Sequence, residues 1–191
     1  MAGRGRSKLP KGDVWVFGYG SLMWDPGFPF VERRRALLRG YHRALCVYSR
    51  FHRGTLARPG LVLGLLRGGS CRGMAFKVAQ SEAKAVLGYL DERELVSYAY
   101  RRRHLPVRLE ESTVRAFVYV ADPDHSQYAG RLTRERTVEL VVQGVGVSGT
   151  CYDYLESAVR HLDALGFTDG PLHEVRRRAM ETMRAALSYD L

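Results

Sequence analysis

The hydrophobic pattern begins with a short apolar run, Val14–Phe17, in which β-branched and aromatic residues follow one another. Four residues are too few for helical periodicity and Gly18 follows at once, so the run predicts a buried strand. The next residues, Gly18–Ser21, place two glycines one residue apart, which allows a backbone path with successive amides turned to one side. This pattern predicts either a simple tight turn or a cradle for an anionic ligand, and the two interpretations stay open.

Further apolar runs predict more strands. They are Ala44–Ser49, Leu61–Arg67, Cys71–Val78, Val107–Leu109 and Val114–Ala121. The last of these alternates with a period of two, as a half-buried strand does. Gly68-Gly69-Ser70 stands between two of the runs and predicts a hairpin there.

Helical periodicity appears in one segment between the strands and in three segments at the end of the chain. The predicted helices are Ser81 to about Glu94, Thr133–Gln143, Tyr152–Leu165 and Leu172–Leu187. Ser81 and Thr133 are the expected N-caps, because a hydroxyl there accepts from a free backbone N–H. Strands followed by helices, with one helix inserted, predict an α+β fold with a mainly antiparallel sheet, open or closed into a barrel.

Glu94 stands out within the first predicted helix. At about 100° per residue it falls on the same face as Leu87 and Leu90, whereas Asp91 and Glu92 do not. A carboxylate directed at a core costs free energy unless something holds it. Either the helix ends early and the side chain reaches water, or Glu94 is a buried functional acid.

The composition indicates one domain of ordinary size, since the chain has 191 residues of which 46% are hydrophobic. We expect a disordered basic leader at 1–12 and a single domain at 13–191. No apolar run of about 18 residues exists, and the basic start lacks the apolar core of a secretory signal, so we expect a cytoplasmic protein without membrane contact. Three scattered cysteines, Cys46, Cys71 and Cys151, indicate reduced thiols and no metal site.

The net charge of +10 raises the possibility of an acidic partner such as nucleic acid. Beyond the leader, the excess lies in three arginine clusters, at 33–35, 101–103 and 176–178. No recognition helix or aromatic platform accompanies them. A solvated basic face is therefore favoured over a nucleic-acid groove.

The glycine segment does not match the common nucleotide or hydrolase motifs. Met23 stands where a dinucleotide fingerprint needs its third glycine, and no Gly-Lys-Ser/Thr of a P-loop follows. The order Gly-Tyr-Gly-Ser is also not the nucleophile elbow of the α/β-hydrolases. Ser21 is therefore predicted to contact a ligand rather than to act as a nucleophile.

Taken together, separated segments of the chain resemble one family, the ChaC-like γ-glutamylcyclotransferases that act on glutathione. The segments are Phe17–Trp24, Arg53–Thr55 with Pro59-Gly60, Gly68–Phe76, Tyr89–Glu94, and Gly146–Gly149 before Asp153–Leu155. The match extends from Val14 to Leu165, nearly all of the predicted domain.

The resemblance implies a small mixed, mainly antiparallel β-barrel with flanking helices. It implies cyclisation of the γ-glutamyl group to 5-oxoproline with release of Cys-Gly, with no cofactor or metal. Glu94 resembles the proton acceptor, the segment Phe17, Gly18, Tyr19, Gly20, Ser21 and Leu22 resembles the γ-glutamyl-binding loop, and Tyr128 resembles a tyrosine that lines the pocket.

Two positions depart from the family pattern. No acidic residue stands near Leu56-Ala57, and Cys151 stands where the family often has asparagine. Both concern the half of the pocket that would hold Cys-Gly, so other γ-glutamyl amines remain an alternative substrate class. A basic module that binds nucleic acid or protein is the alternative from another class. The expected partner is glutathione alone, bound by a monomer.

Overall fold

A computed structural model of the chain describes residues 10–94 and 99–189. Most of the predicted leader lies outside the described residues. The main strands are β1 (Val14–Gly18), β2 (Glu32–Ser49), β3 (Gly60–Val78), β4 (Tyr100–Arg108) and β5 (Thr113–Ala121). The helices are α1 (Gln80–Glu94), α2 (Arg134–Gln143), α3 (Cys151–Ala164) and α4 (Gly170–Tyr189), and a small hairpin pairs β6 (Val145–Gly146) with β7 (Gly149–Thr150).

The five main strands close into a barrel in the order β1-β3-β2-β4-β5. Strand β1 pairs antiparallel with β3 and parallel with β5, and the other pairs are antiparallel. The predicted mixed, mainly antiparallel barrel with flanking helices is confirmed. Because β1 has a neighbour on each side and its Val16 and Phe17 are fully buried, its apolar run fits a central strand.

The predicted hairpin at Gly68-Gly69-Ser70 is wrong, because β3 runs through this segment without turning back. Gly68 and Gly69 both have positive φ, and the pairing with β2 shifts register between Arg39 and Tyr41 on the opposite strand. The glycines therefore form an irregularity of the β-bulge type within one long strand. Such bends let long strands follow the curve of a small barrel.

Helix α1 buries the predicted face, made of Ala83, Val86, Leu87 and Leu90. It begins at Gln80 rather than after a Ser81 cap, and the Gln80 backbone N–H donates to the Asp13 carboxylate over 3.0 Å. The helix continues to Glu94, which is its last residue.

The last three helices pack on one another, and α2 and α3 also contact β3. The predicted cap of α2 is confirmed, since the Thr133 hydroxyl accepts from the Arg136 N–H. Thr150 caps α3 in the same way through the Asp153 N–H. None of the helices within the described residues is both long and apolar enough to cross a bilayer.

Candidate active site

A cavity of about 60 Å³ lies where the loop after β1 meets the end of α1. Its lining consists of Phe17, Tyr19, Gly20, Ser21, Leu22, Leu63, Glu94, Tyr100, Tyr119 and Tyr154. The structure therefore brings Glu94 together with five of the six loop residues that the sequence singled out. A pocket that gathers a buried carboxyl and several polar groups is a candidate active site.

The two loop glycines have different roles. Gly18 does not line the cavity, and a Cβ on it would lie 3.0 Å from the Leu22 Cβ, so its lack of a side chain lets the loop fold back closely. Gly20 has φ −125°, outside the left-handed region, and a Cβ there would meet Leu63 Cδ1 at 3.8 Å, an ordinary contact. The space around position 20 can hold a Cβ, and the absent side chain leaves room in the cavity.

The loop after β1 continues into one turn of 3-10 helix, Ser21–Met23. Its carbonyls are used internally, since Met23 N–H donates to Gly20 O and Trp24 N–H donates to Ser21 O. The N–H groups of Gly20, Ser21 and Leu22 have no recorded acceptor among the described residues. The loop is thus a tight turn that also leaves three amides free beside the cavity, which suits an anionic group.

Glu94 lies in the cavity rather than in bulk water, and its side chain is 20% exposed. Burial raises the pKa of its carboxyl group because the charged form loses solvation, while the neighbouring Arg93 guanidinium lowers it. The Nε of Arg93 lies 3.5 Å from Glu94 Oε1. The carboxyl group is therefore more easily protonated than an exposed glutamate.

Arg93 also joins the end of α1 to the glycine loop. One Nη donates to Ser21 Oγ over 3.0 Å, and the other donates to the Asp25 carbonyl over 3.2 Å and to the Tyr89 hydroxyl over 3.1 Å. In this structure the Ser21 hydroxyl accepts from a cation, and the described residues that line the cavity include no histidine to act as its base. This geometry suits a contact residue better than a nucleophile.

Three tyrosines that the sequence analysis missed complete the wall. The Tyr100 hydroxyl donates to the Leu63 carbonyl over 2.7 Å, and the Tyr154 hydroxyl accepts from the Leu63 N–H over 3.2 Å. The Tyr119 hydroxyl donates to Asp91 Oδ1 over 2.8 Å. They come from β4, β5 and α3. Tyr154 belongs to the Asp153–Leu155 segment of the family resemblance, but no local motif marks Tyr100 or Tyr119, because only the closed barrel brings them to the cavity.

These phenols stay protonated at neutral pH. Burial raises the pKa values of Tyr19, Tyr100 and Tyr154, and the negative charge of Glu94 raises them further. The cavity thus surrounds one titratable carboxyl group with neutral hydrogen-bonding groups.

Tyr128 is placed elsewhere, which corrects the expectation that it lines this pocket. It lies in the segment between β5 and α2, forms an antiparallel bridge with Val47, and lines a separate cavity of about 140 Å³ beside Tyr41 and Pro123. Its backbone follows β2 there, and Ala129 N–H donates to the Cys46 carbonyl. The tyrosines that line the cavity with Glu94 come from other elements.

A larger cavity, of about 540 Å³, lies between the middle of β2 and β3 and the helices α2 and α4. Its polar lining includes His42, Arg131 and Arg134, and it contains neither Glu94 nor the glycine loop. We place the chemistry in the smaller cavity because it holds the carboxyl group with the raised pKa.

The barrel and its helices are similar to known structures. The crystal structure of the yeast gamma-glutamyl cyclotransferase specific to glutathione superposes with a TM-score of 0.81 at 22% identity, covering 89% of this chain and 99% of that one. This likeness establishes a γ-glutamylcyclotransferase-like fold.

The family model described as ChaC-like protein matches residues 14–182, so the chain belongs to the ChaC-like family. It is 34% identical over 166 residues to the glutathione-specific gamma-glutamylcyclotransferase of Escherichia coli K12, covering 86% of this chain and 72% of that protein. It is 32% identical to the human glutathione-specific gamma-glutamylcyclotransferase 1, covering 78% and 72% of the two chains. It is 31% identical to gamma-glutamylcyclotransferase 2-3 of Arabidopsis thaliana, covering 93% and 94%.

Proposed function

We propose that this protein cleaves glutathione into 5-oxoproline and Cys-Gly, with Glu94 as the proton acceptor and donor. The observation that carries the proposal is the placement of Glu94 in a cavity whose other wall is the glycine loop with its free amides. Relatives at 32–34% identity that are named glutathione-specific gamma-glutamylcyclotransferases support the substrate class.

The reaction is an intramolecular aminolysis. The α-amine of the γ-glutamyl group forms a C–N bond to its own side-chain carbonyl carbon, and the bond from that carbon to the cysteine nitrogen breaks. The α-ammonium must first lose a proton to become a nucleophile, and the attacking nitrogen loses a second proton as the lactam N–H forms. The leaving nitrogen gains one proton as its bond to the carbonyl carbon breaks and a second one to end as the ammonium of Cys-Gly. Glu94 can accept these protons one at a time and return them to the leaving nitrogen, so that no water is consumed.

Burial suits Glu94 to this exchange. A general base works best when its pKa lies closer to the working pH than that of an exposed carboxylate, and burial raises the pKa of Glu94 in that direction. The neutral tyrosines around it add no competing charge.

The free amides of Gly20, Ser21 and Leu22 can bind the substrate α-carboxylate or the oxyanion that develops on the γ-carbonyl. Ring closure also needs the flexible γ-glutamyl chain to be folded back on itself. In well-oriented intramolecular reactions, holding that geometry lowers the activation barrier by roughly 7 kcal/mol or more.

Other γ-glutamyl amines remain the second substrate class, because two family positions differ here. Cys151 is one of them, and it lies outside the cavity lining. Its Sγ accepts from the Leu61 N–H and donates to the Leu61 carbonyl, so it anchors the start of β3. Leu56, at the other position, is 80% exposed.

The test is incubation with glutathione and, separately, with γ-glutamyl dipeptides, followed by measurement of 5-oxoproline. Glu94→Gln keeps the shape of the side chain but cannot accept a proton, so we expect turnover to fall by about 10²-fold or more. Glu92→Gln is the matched control, because Glu92 is exposed on the same turn of α1. Normal turnover by Glu94→Gln would refute the proposed role.

We further propose that the enzyme acts in the cytoplasm as a monomer, with one catalytic domain at 13–191. The free cysteines of the described residues, Cys46, Cys71 and Cys151, are buried, which suits a reducing compartment. Light scattering of the purified chain would test the oligomeric state, and deletion of residues 1–11 would test whether the basic leader is needed for turnover.

A further inference from the structure

Arg43 is a charged residue in the interior, in the middle of β2, and its side chain is only 3% exposed. Nε donates to the Tyr19 carbonyl over 2.5 Å, one Nη donates to Asp169 Oδ2 over 2.9 Å, and the other donates to the Arg72 carbonyl over 2.5 Å. A buried guanidinium is costly to desolvate, and well-packed apolar residues in place of both partners of a buried ion pair are often at least as stable. Its presence therefore calls for a reason beyond packing.

One of the three acceptors belongs to the glycine loop. The described chain has no cis peptide bonds, and in a trans peptide the C=O and the N–H point in opposite directions. When the Tyr19 carbonyl is directed at Arg43, the N–H of the same peptide unit, which belongs to Gly20, is directed away from Arg43. Gly20 lines the active-site cavity, and this N–H has no recorded acceptor among the described residues.

The other two acceptors hold the guanidinium itself in place. Arg72 belongs to β3, and Asp169 directly precedes α4, where its carboxylate also accepts from the Leu172 N–H over 3.4 Å. A guanidinium is planar and rigid, so fixing two of its corners fixes the third. The barrel wall and the start of α4 thereby fix the direction of the Tyr19–Gly20 peptide.

We propose that Arg43, held by Asp169, is a positioning residue that keeps the Gly20 N–H directed into the cavity as a donor to the substrate. This inference rests on the proposed function, because the substrate supplies the negative charge that this N–H meets. Arg43 does not line that cavity.

The first test is kinetic. Arg43→Lys keeps a positive charge for Asp169, but one ammonium on a flexible stem cannot hold three acceptors in a fixed plane. We expect kcat/KM for glutathione to fall by about tenfold or more. Complete loss of a preorganised donor lowers the rate by about 10²-fold or more, and a misdirected donor should lose part of that. The melting temperature should change much less than for Arg43→Met. Arg39→Lys, at an exposed position of the same strand, should match the wild type. A normal kcat/KM in folded Arg43→Lys would overturn the proposal.

The second test needs no activity, so it separates this inference from the proposed function. In protein labelled with ¹⁵N-glycine, the Gly20 amide is assigned by its loss in Gly20→Ala. We expect Arg43→Lys to shift the Gly20 amide resonance strongly while the amide of the exposed Gly88 stays unchanged. If Arg43→Lys does not fold, Asp169→Asn, which loosens the guanidinium, should shift the same resonance. An unchanged Gly20 amide in the folded variant overturns the inference, whereas absence of 5-oxoproline from the wild type overturns only the function.

Discussion

At the scale of single residues, the position of Glu94 could be predicted from the sequence, whereas the residues that surround it could not. Its position on the apolar face follows from the 3.6-residue period shared with Leu87 and Leu90, and the structure places it in the cavity. Tyr100, Tyr119 and Tyr154 carry no such local signal, because their meeting depends on barrel closure and on the docking of α3.

The burial of Glu94 predicts a stability effect that depends on pH. Its pKa is raised in the folded protein, so folding favours the protonated form and penalises the charged form above that pKa. Glu94→Gln removes the charge, and we expect it to raise the free energy of unfolding by about 1 kcal/mol at neutral pH. The gain should disappear below the pKa of an exposed glutamate, because Glu94 of the wild type is then protonated in both the folded and the unfolded state.

Denaturant unfolding of the two proteins at neutral and at acidic pH measures this difference. Glu92→Gln is the control and should stay within about 0.5 kcal/mol of wild type at both pH values, as exposed substitutions do. A gain for Glu94→Gln that is equally large at acidic pH would contradict the electrostatic explanation.

Gly20 gives a second prediction at this scale, and the structure changes its basis. The two glycines suggested a backbone path closed to other residues, but Gly20 has φ −125° and a Cβ there has room beside Leu63. We therefore expect Gly20→Ala to fold normally while its methyl group occupies the cavity. Displacement of the substrate should lower kcat/KM by about tenfold or more.

The matched control for this substitution is Gly88→Ala, on the exposed side of α1 with no neighbour within 4 Å of the new Cβ. It should leave kcat/KM unchanged and stabilise the helix by about 1 kcal/mol. Thermal melting and steady-state kinetics of both variants decide the matter. Normal kinetics in Gly20→Ala would show that the loop does not approach the substrate.

At the scale of elements, the last turn of α1 assembles much of the site. Its period predicts that Asp91 lies off the apolar face, yet the Asp91 carboxylate accepts from Tyr119 and pairs with Arg102 over 2.6 Å. Asp91 thereby holds a cavity tyrosine, a role that helix periodicity alone does not reveal. Of Asp91, Glu92 and Glu94, Glu92 is therefore the residue whose substitution serves as a control, because it is exposed.

The same turn predicts a shift in the pH profile. Arg93 lowers the pKa of Glu94, so removing its charge should raise that pKa further. The carboxylate is the form that accepts the proton, and a higher pKa means that it forms only at higher pH. For Arg93→Gln we expect the acidic limb of kcat/KM to move to higher pH, with the amide still able to donate to Ser21.

Profiles of kcat/KM against pH for glutathione measure this shift. Lys84→Gln removes a positive charge from an exposed position earlier in α1 and should leave the limb where it is in wild type. An acidic limb that moves to lower pH in Arg93→Gln would show that another group controls it.

The long strands illustrate what a pattern does not determine at this scale. The first half of β2 contains Arg33–Arg35 and was not predicted, because its exposed positions hide the alternation. Gly68 and Gly69 predicted a hairpin that the structure does not form, because a hairpin and a bulge use the same residues. Strand β3 pairs with β2 on both sides of the two glycines, so they form a bulge rather than a hairpin turn.

At the scale of the whole molecule, several of the clustered arginines are paired with acidic side chains. Each arginine cluster includes ion pairs, such as Arg34–Glu32, Arg101–Asp122 and Arg177–Glu174. This pairing agrees with the interpretation of the clusters as solvated faces. It leaves fewer free cations within these clusters than the runs of arginine in the sequence suggest.

The C-terminal helices contact the glycine loop through residues that are far apart in the sequence. Trp24, just after the loop, stacks on His161 of α3 with ring centroids 4.3 Å apart, and Arg43 links the loop to Asp169. No sequence pattern predicts such pairs, because the partners lie more than 100 residues apart. These contacts therefore link the barrel to the docked helices beside the candidate active site.

This coupling yields the last prediction. Asp169→Asn keeps an oxygen for the Leu172 N–H but leaves the Arg43 charge buried without a counter-charge, which we expect to cost about 3 kcal/mol of unfolding free energy. The same substitution in an Arg43→Met background should cost far less, because no charge is left unpaired, and a double-mutant cycle measures the difference. Asp163→Asn is the control at the same junction, since Asp163 pairs with His173 at a 52% exposed position and should cost less than about 1 kcal/mol. Equal costs of Asp169→Asn in the two backgrounds would mean that Asp169 acts only as a helix cap and that the loop is held without it.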